Sequence, residues 1–260
     1  IREIYGCVND GKILKIKLSC LISFMKRVYC NSILIKGSTY HLEEKYYIHL
    51  IRVMRLNIGD EVTLFNQKSG QWLSIIKNIK KNVVSAEVIK KISPPMANSK
   101  ISLLFSPIKY LNSESIIRQS TEIGIMNIFP TSFQRTVIKK INIDKFEHYT
   151  VGAAQQCGRT SIPNIRVLEK IENRLELLAN SNVLMFDENL KGSEIKDIKF
   201  NDSNKDIIVI IGPEGGFVEE ERAFISKNSM NFHNVRMGQN ILKSDTAVIA
   251  ALSLTFHYFS

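Results

Sequence analysis

Short runs of alternating apolar and polar residues fill the chain from Arg27 to about Ile92. They are rich in β-branched and aromatic residues, and turn formers separate them, as in the segment 66–70. Their spacing predicts a small β-rich module, a sheet or barrel, with strands in RVYCNSILI, EVTLF, QWLSIIK and VVSAEVI. One helix interrupts these strands within HLEEKYYIHLIRVM, where Leu42, Tyr46, His49, Leu50 and Val53 recur near helical intervals.

The pattern changes after the segment 93–100, SPPMANSK, which holds prolines and turn formers but few large apolar groups. Such a composition is typical of a linker, so we place the domain boundary between residues 95 and 96. Beyond it, helical segments alternate with short apolar strands in ISLLFSP, NIFP, NVLMFDE, DIIVIIG and NVRMG. This alternation predicts an α/β domain over 96–260, with a mostly parallel sheet covered on both faces. Ligands of such sheets bind beyond the carboxyl ends of the strands.

The composition narrows the classes of partner. The chain has 260 residues and a formal net charge of +10, from 35 basic and 25 acidic side chains. This balance favours RNA, DNA or an anionic membrane as a partner, although lysines spread along a whole chain are equally typical of a solvated surface. No apolar run reaches the roughly 18 residues of a membrane-spanning helix, so we expect no membrane partner.

The cysteines and the N-terminal segment bear on the compartment. Cys7, Cys20, Cys30 and Cys157 are scattered, and none has a second cysteine or a histidine at ligand spacing. We therefore expect no metal, and a cytoplasmic protein, because so few cysteines suit a reducing compartment. LSCLISFM resembles a signal peptide but lacks a small-residue cleavage site, so we interpret residues 1–24 as an N-terminal extension that adds little to the fold.

The segment IIGPEGGFVEEE is the first candidate ligand site, because its glycines follow a buried strand. Gly212, Gly215 and Gly216 fit neither the Walker spacing nor the dinucleotide fingerprint. Glu214 and the acidic residues 219–221 would repel a phosphate. The loop therefore favours a neutral or cationic ligand, which a backbone without side chains can approach closely. The residues 219–221 are equally explained as the first turn of a helix, where the helix dipole favours negative charge.

Two further loops carry candidate residues. In MGQNILKSDTAVIAALSLTF a strand ends at Gly238, and a helix begins near Ser244 or Asp245, either of which would cap it. That helix is apolar around most of its circumference, so we expect it to be buried in the core or against another subunit. In GAAQQCGRTSIP, Arg159 together with Arg135 from TSFQRTV is a candidate for binding a nucleic-acid phosphate or base edge.

These motifs together resemble the RsmE family of 16S ribosomal RNA uridine-N3 methyltransferases, which belong to the SPOUT class. The resemblance is carried by RQSTEIGIMNIFPTSFQR, QQCGR, GPEGG with its acidic helix start, and MGQNILKSDTA. HLIRVMRLNIGDEVTLF resembles the family's N-terminal barrel, and the match runs from about Met25 to the end. The resemblance implies a PUA-like RNA-binding β-barrel domain over 25–95 and a SPOUT methyltransferase domain with a C-terminal trefoil knot over 96–260. It also implies 16S rRNA in the small ribosomal subunit as the partner, and a homodimer with the last helix near its interface.

The resemblance implies S-adenosylmethionine as the cofactor, bound in the knot among the loops at NVLMFDE, GPEGG and MGQNIL. This cofactor carries a sulfonium cation and an adenine ring but no phosphate, which agrees with an acidic glycine loop. Main-chain groups and apolar side chains of such loops can recognise the adenine. The cofactor-binding residues expected from these motifs are Phe186, Gly212, Pro213, Glu214, Gly215, Met237, Gly238, Ile241, Leu242 and Thr246.

The implied reaction is methylation of uracil N3. The neutral imide nitrogen is a poor nucleophile, so its proton must be removed by a base, or the anion must be stabilised by positive charge. The target base also has to leave any stack to reach the methyl donor, at a cost of roughly a few kcal/mol. The candidate catalytic residues are Arg135, Arg159 and Lys243.

Two alternatives stay open. The chain departs from the family's Leu-Arg-x-Glu-Thr-Ala pattern at Lys243 and Asp245, which keep the charge signs but lose the fork of an arginine and shorten the acid. Gln155 stands where the family often has Glu, and Asn112 where it often has a basic residue. One alternative is another SPOUT methyltransferase, acting on a ribose 2′-hydroxyl or a tRNA base. The other is a non-catalytic RNA-binding paralogue.

Overall fold

The computed structural model describes residues 4–6, 14–16, 26–97, 99–108, 110–189 and 192–260. Its contacts divide the chain into two compact units: the residues up to 97 with Ala154–Ser161, and Asn98–Ala153 with Ile162–Ser260. The predicted extension 1–24 lies largely outside the described residues; within it, β1 (Ile4–Gly6) and β2 (Leu14–Ile16) pair antiparallel. The predicted domain bounds stay a prediction.

A five-stranded sheet forms the body of the first unit, with strands β3 (Arg27–Tyr29), β4 (Thr39–Leu42), β5 (Glu61–Asn66), β6 (Gly70–Lys80) and β7 (Val83–Ser93). They lie in the order β3-β5-β6-β7-β4. β3 pairs parallel with β5, and the other pairings are antiparallel. Buried Val62, Leu64, Ile76, Val84 and Val88 form the core of this β-rich unit.

The predicted strand RVYCNSILI is wrong beyond Tyr29. The chain leaves the sheet there because side chains bind its backbone groups in place of a neighbouring strand. Asn66 Nδ2 donates to the carbonyls of Cys30 and Ser32 at 2.9 and 2.8 Å, and the N–H of Leu34 donates to Ser69 Oγ at 2.9 Å. An alternating pattern does not distinguish such a loop from a strand.

The helix of the first unit begins later than predicted and has two geometries. α1 (Glu44–Tyr47) continues as a π-helix over Ile48–Val53. Tyr46 and Leu50 are buried, as their spacing predicts, but Leu42 lies in β4 and Val53 is 67% exposed. The π-helix widens the backbone turn, and such a local change is not visible in the apolar period.

Parallel strands build the sheet of the second unit: β8 (Ile101–Phe105), β9 (Asn127–Ser132), β10 (Asn164–Ile165), β11 (Glu169–Lys170), β12 (Asn182–Phe186), β13 (Ile207–Ile211) and β14 (Asn231–Val235). Their order is β10-β9-β8-β13-β12-β14, with β11 also on β9. All the pairings found among the described strands of this sheet are parallel. This confirms the predicted α/β architecture.

Helices cover both faces of this sheet: α2 (Tyr110–Ile123), α3 (Ile143–Cys157), α4 (Leu175–Ala179), α5 (Glu219–Asn228) and α6 (Ser244–Phe259). Alternate strand residues supply two cores. Leu103, Leu184 and Val209 pack with residues of α2, α3 and α6. Leu104, Val183 and Ile208 pack with residues of α4 and α5 on the opposite face.

The last helix was predicted to be buried in the core or against another subunit. Val248, Ala251 and Leu252 of α6 are buried in the core of the second unit. The expected cap is wrong, because the residue before the first turn is Lys243 and its side chain makes no capping hydrogen bond. Asp245 Oδ1 accepts instead from the N–H of Thr246 at 2.9 Å.

The predicted strand NVRMG both begins and ends too late, since β14 spans Asn231–Val235 and the chain has left the sheet before Gly238. The first half of β14 contains polar residues, so it lacks the apolar pattern that predicts a strand. Asn231 is buried and its Nδ2 donates to Oδ1 of buried Asn182 at 2.9 Å, so two amides on neighbouring strands satisfy one another. Asn182 Nδ2 in turn donates to the carbonyl of Asp202 at 2.9 Å.

Within the described part of the chain, no helix combines the length and apolarity needed to cross a membrane. The same residues contain no group of three or more His, Cys, Asp or Glu side chains arranged to hold a metal ion.

Candidate active site

The carboxyl ends of three neighbouring strands meet in the second unit. β12 lies between β13 and β14, and its last residue Phe186 is in register with Ile211 and Val235, the last residues of the other two. Because the strands are parallel and end together, the chain segments that follow them start side by side. We call them the first loop (from Asp187), the glycine loop (212–217) and the third loop (236–243).

These three loops and the start of α6 border a cavity of about 580 Å³, a volume suited to a small organic cofactor. Its apolar surface comes from Phe186, Ile211, Met237, Ile241, Leu242 and Ala247. Polar side chains around it are Asn112, Asp187, Glu188, Glu214, Asn240, Lys243 and Ser244.

Most of the cofactor residues predicted from the sequence lie together at this cavity. Those that line it are Phe186, Gly212, Pro213, Glu214, Gly215, Met237, Ile241 and Leu242. Gly238 and Thr246 are not among its lining residues. Gly238 has a φ of +78° with open space around it, so its backbone conformation alone accounts for the absence of a side chain.

The glycine loop is shaped by its own neighbours. A Cβ at Gly212 would lie 2.8 Å from the ring of Phe217, which is buried and packs edge-on against Phe133 with ring centroids 5.2 Å apart. Gly216 has a φ of +73°, and a Cβ there would overlap Oε1 of Glu188. The missing side chains at these two positions therefore make room for the chain's own residues, and the main chain is left to face a ligand.

Lys243 lines this cavity, whereas Arg135 is not among the lining residues and contacts the glycine loop that borders it. Arg135 is exposed, and its Nη1 donates to the carbonyl of Gly215 at 2.5 Å. Lys243 lines the cavity and immediately precedes α6. Two positive charges thus accompany a cavity whose other charged side chains, Glu188 and Glu214 among them, are acidic.

Arg159 has different surroundings. It belongs to the first unit, it is buried, and its Nε and Nη2 donate to Ser161 Oγ at 3.2 and 2.9 Å. Its carbonyl accepts from Nη2 of buried Arg27 at 2.9 Å. Burial lowers the pKa of Arg159, while nearby Cys157 raises it slightly in the opposite direction. The predicted grouping of Arg159 with Arg135 stays a prediction.

An ion-pair network forms the acidic side of the cavity. Arg222 of α5 binds Asp187 with both arms of its guanidinium, Nε to Oδ2 at 2.6 Å and Nη2 to Oδ1 at 3.0 Å. Nη2 also donates to Glu188 Oε1 at 3.0 Å, and Nη1 lies 3.6 Å from Glu219 Oε2. The Asp187 side chain is fully buried in this network.

The two carboxyls at the start of the first loop titrate in opposite directions. Burial acts to raise the pKa of Asp187, but the hydrogen bonds and attraction from Arg222 outweigh it and hold that pKa below the ordinary value. Burial raises the pKa of Glu188, and the neighbouring Asp187 carboxylate raises it further. Asp187 is therefore the fixed anion, and Glu188 is the group whose charge responds to its surroundings.

Sequence reasoning missed this network. It marked the loop after NVLMFDE but named only Phe186, although Asp187 and Glu188 follow a buried strand directly. Acidic residues at the carboxyl end of a parallel strand were a sufficient signal to include both. Arg222 had no local signal, since it lies 35 residues away from Asp187 along the chain.

The RNA methyltransferase domain family matches residues 95–255, and the RNA methyltransferase PUA domain family matches residues 47–89. Among curated relatives, the ribosomal RNA small subunit methyltransferase E of Mesomycoplasma hyopneumoniae is 31% identical, over 88% of this chain and 98% of the relative. The protein of the same name from Rickettsia conorii is 29% identical, over 87% of this chain and 93% of the relative.

Solved structures agree with this assignment. A protein from Legionella pneumophila, solved in complex with the bound cofactor SAM, is 26% identical with a TM-score of 0.80, over 90% of this chain and 98% of that chain. The ribosomal RNA small subunit methyltransferase E of Neisseria gonorrhoeae shares the fold, with a TM-score of 0.81 at 22% identity, over 90% of this chain and 97% of that one. The first unit is therefore PUA-like and the second has the methyltransferase fold. The chain belongs to the ribosomal RNA small subunit methyltransferase E family of RNA methyltransferases.

Proposed function

We propose that this rRNA methyltransferase transfers a methyl group from S-adenosylmethionine to N3 of a uridine in the 16S rRNA of the small ribosomal subunit. The observation that carries the proposal is the cavity at the ends of β12, β13 and β14, which joins an acidic side to apolar walls. The family of the chain supports ribosomal RNA as the substrate, and the Legionella relative supports the cofactor.

The residues that border the cavity fit S-adenosylmethionine. Phe186, Met237 and Leu242 offer apolar surface to an adenine ring. The main chain of the glycine loop offers N–H and C=O groups. Glu188 and Glu214 attract a positively charged ligand and repel a polyphosphate. When bound, S-adenosylmethionine supplies the electrophilic methyl group that is bonded to its sulfonium sulfur.

The proposed cofactor-binding residues remain those expected from the motifs. Eight of them are supported by their place in the cavity lining: Phe186, Gly212, Pro213, Glu214, Gly215, Met237, Ile241 and Leu242. For Gly238 and Thr246 the support is the family motif alone. Gly238 gives the third loop its left-handed turn, so we assign it a role in shaping that loop.

Arg135 and Lys243 are the residues that we propose to act on the uracil. Their positive charges would stabilise the anion that forms when N3 loses its proton. The carbonyl of Gly215 anchors the guanidinium of Arg135, and Lys243 immediately precedes the first turn of α6. Arg159 is the third catalytic residue that we propose. It is buried and its Nη2 donates to Ser161 Oγ at 2.9 Å, and its support is the QQCGR motif alone.

The wider family resemblance supplies the remaining parts of the proposal. Residues 25–95 would form a PUA-like barrel that binds RNA, and residues 96–260 a SPOUT domain with a trefoil knot. The chain would act in the cytoplasm as a homodimer with α6 near the interface. Support for the dimer is the apolar character of α6, in which Ile249 and Leu254 pack against the core and yet remain only partly buried.

Methylation of isolated small subunits tests the proposal. Subunits from a strain without the enzyme are incubated with the protein and S-adenosylmethionine labelled in its methyl group, and the modified nucleoside is identified by mass spectrometry. We expect 3-methyluridine at one position of the 16S rRNA. A ribose-methylated product, or labelling of tRNA alone, would contradict the proposed reaction. Failure to bind S-adenosylmethionine in calorimetry would leave only a non-catalytic RNA-binding role.

A further inference from the structure

Arg222 lies behind the cavity and not in its lining. It comes from α5, and the groups that it binds, Asp187 and Glu188, belong to the first loop and line the cavity. The Arg222 side chain is 19% exposed, while that of Asp187 is not exposed at all. An ion pair held in this way, with two parallel hydrogen bonds, fixes the orientation of both partners.

Glu188 is held from two sides. Arg222 Nη2 donates to its Oε1 at 3.0 Å, and the same oxygen occupies the space that a side chain at Gly216 would need. Gly216 itself has a φ of +73°, so the glycine loop is bent toward the carboxylate at this point. The position of Glu188 thus depends on a contact to α5 and on the glycine loop together.

We propose that Arg222 is a positioning residue for the methyl donor. It binds Asp187 with both arms of its guanidinium and Glu188 through one oxygen, and in this way it holds the Glu188 carboxylate against Gly216. There the carboxylate is the anionic hydrogen-bond acceptor for the donor. The proposal rests on the proposed function, because the donor is S-adenosylmethionine. Arg222 touches no reacting atom, and its effect passes entirely through Glu188.

The forked guanidinium of an arginine is required at position 222, and a positive charge alone is insufficient. Lysine in place of Arg222 keeps the positive charge but offers a single nitrogen, which cannot bind both oxygens of Asp187 and Glu188 together. Without any cation, three neighbouring carboxylates, those of Asp187, Glu188 and Glu219, repel one another. The pKa of Glu188 then rises further, and the carboxylate loses both its place and part of its charge.

The test measures the dissociation constant of S-adenosylmethionine by calorimetry for the wild type and the variants Arg222→Met, Arg222→Lys, Glu188→Gln and Arg222→Met/Glu188→Gln. We expect the dissociation constant to rise about tenfold in Arg222→Met, which corresponds to ~1.4 kcal/mol. Arg222→Lys should recover only part of that loss. The double variant should bind no more weakly than the weaker single variant, because both changes remove one interaction.

Two readouts separate positioning from a general structural role. Methylation kinetics of Arg222→Met should show a raised KM for the donor with kcat nearly unchanged. The affinity of Arg222→Met should be lost at higher pH than that of the wild type as the solution is acidified, because Glu188 protonates earlier. The matched control is Arg118→Met, which removes an arginine of α2 whose Nε donates to Glu114 Oε1 at 2.9 Å and which is outside the cavity lining and its three loops; its donor affinity should equal that of the wild type.

The outcomes are distinguishable. If the wild type binds S-adenosylmethionine and Arg222→Met binds it equally well, the positioning role is wrong. The positioning role is also wrong if the binding free energy lost in the double variant equals the sum of the losses in the two single variants. It is likewise wrong if Arg222→Lys binds the donor as tightly as the wild type. If the wild type itself does not bind the donor, the proposed function fails. A thermal melt of each variant shows whether it is folded. If Arg222→Met is not folded, Arg222→Lys takes its place in the comparison.

Discussion

The glycine loop and the third loop border the same cavity but are held in different ways. In the glycine loop, neighbouring side chains fill the space beside two glycines: Phe217 lies against Gly212, and Glu188 lies against Gly216. The third loop has an open position at Gly238 and an isoleucine, Ile241, that is 73% exposed. One side of the cavity is therefore built before any ligand arrives, whereas the other has apolar surface that only a ligand or a partner would cover.

The largest expected effect is that of Gly212→Ala, which tests whether packing fixes the glycine loop. The added methyl group would lie 2.8 Å from the ring of Phe217, and forcing an extra carbon into a packed core costs about 1–3 kcal/mol of unfolding free energy. Denaturant unfolding measures this loss. Adding Phe217→Leu should restore part of the stability; if Gly212→Ala alone is as stable as the wild type, the loop is not set by this contact.

A matched pair of glycine substitutions compares the two loops directly. Gly216 and Gly238 both have positive φ, +73° and +78°, so Ala at either should cost roughly 1–2 kcal/mol of stability. Only Gly216→Ala displaces Glu188. We expect S-adenosylmethionine to bind about tenfold more weakly to Gly216→Ala, a loss that corresponds to ~1.4 kcal/mol. Gly238→Ala should lose less affinity, because its added methyl group meets open space. Equal affinities of the two variants would remove the distinction between the loops.

Ile241→Ser should alter binding without altering stability. The exposed side chain contributes little to folding, so the unfolding free energy should change by less than about 0.5 kcal/mol. The donor should bind several-fold more weakly if Ile241 closes over it. Met230→Ser is the control, because Met230 is 79% exposed and does not line the cavity. An unchanged dissociation constant in Ile241→Ser would mean that the third loop stays open around the ligand.

The smallest expected effect is the acid dependence of stability at the first loop. The folded-state pKa of Asp187 is depressed, so its contribution is present above the unfolded pKa of about 3.9 and is lost as the pH falls through the folded value. The raised pKa of Glu188 has the opposite sign, since stability falls as the pH rises from the unfolded to the folded pKa. Asp187→Asn should therefore flatten the loss of thermal stability in acid. Melting temperatures of Asp187→Asn and wild type that run parallel below pH 4 would contradict this assignment.

The strands and loops of the fold could be predicted from the sequence more accurately than the contacts between side chains. Apolar strands such as DIIVIIG and the glycine motif after them mark the carboxyl edge of the sheet, because burial on both faces requires continuous apolar residues. Polar residues misled where they satisfy one another, as in the pair of Asn182 and Asn231, or where they replace a neighbouring strand, as Asn66 does. Arg222 and Asp187 are distant in sequence, and only the packing of α5 brings them together.

The amide pair of Asn182 and Asn231 has a consequence at the other end of its strands. It joins the first residues of β12 and β14 inside the protein, where a lost partner would leave a polar group without compensation. A slip of one residue between these strands would shift their far ends by ~3.3 Å and turn Val235 out of the core. Two asparagines remote from the cavity thus help to fix the register that brings the ends of β12 and β14, where the first and third loops start, level with one another.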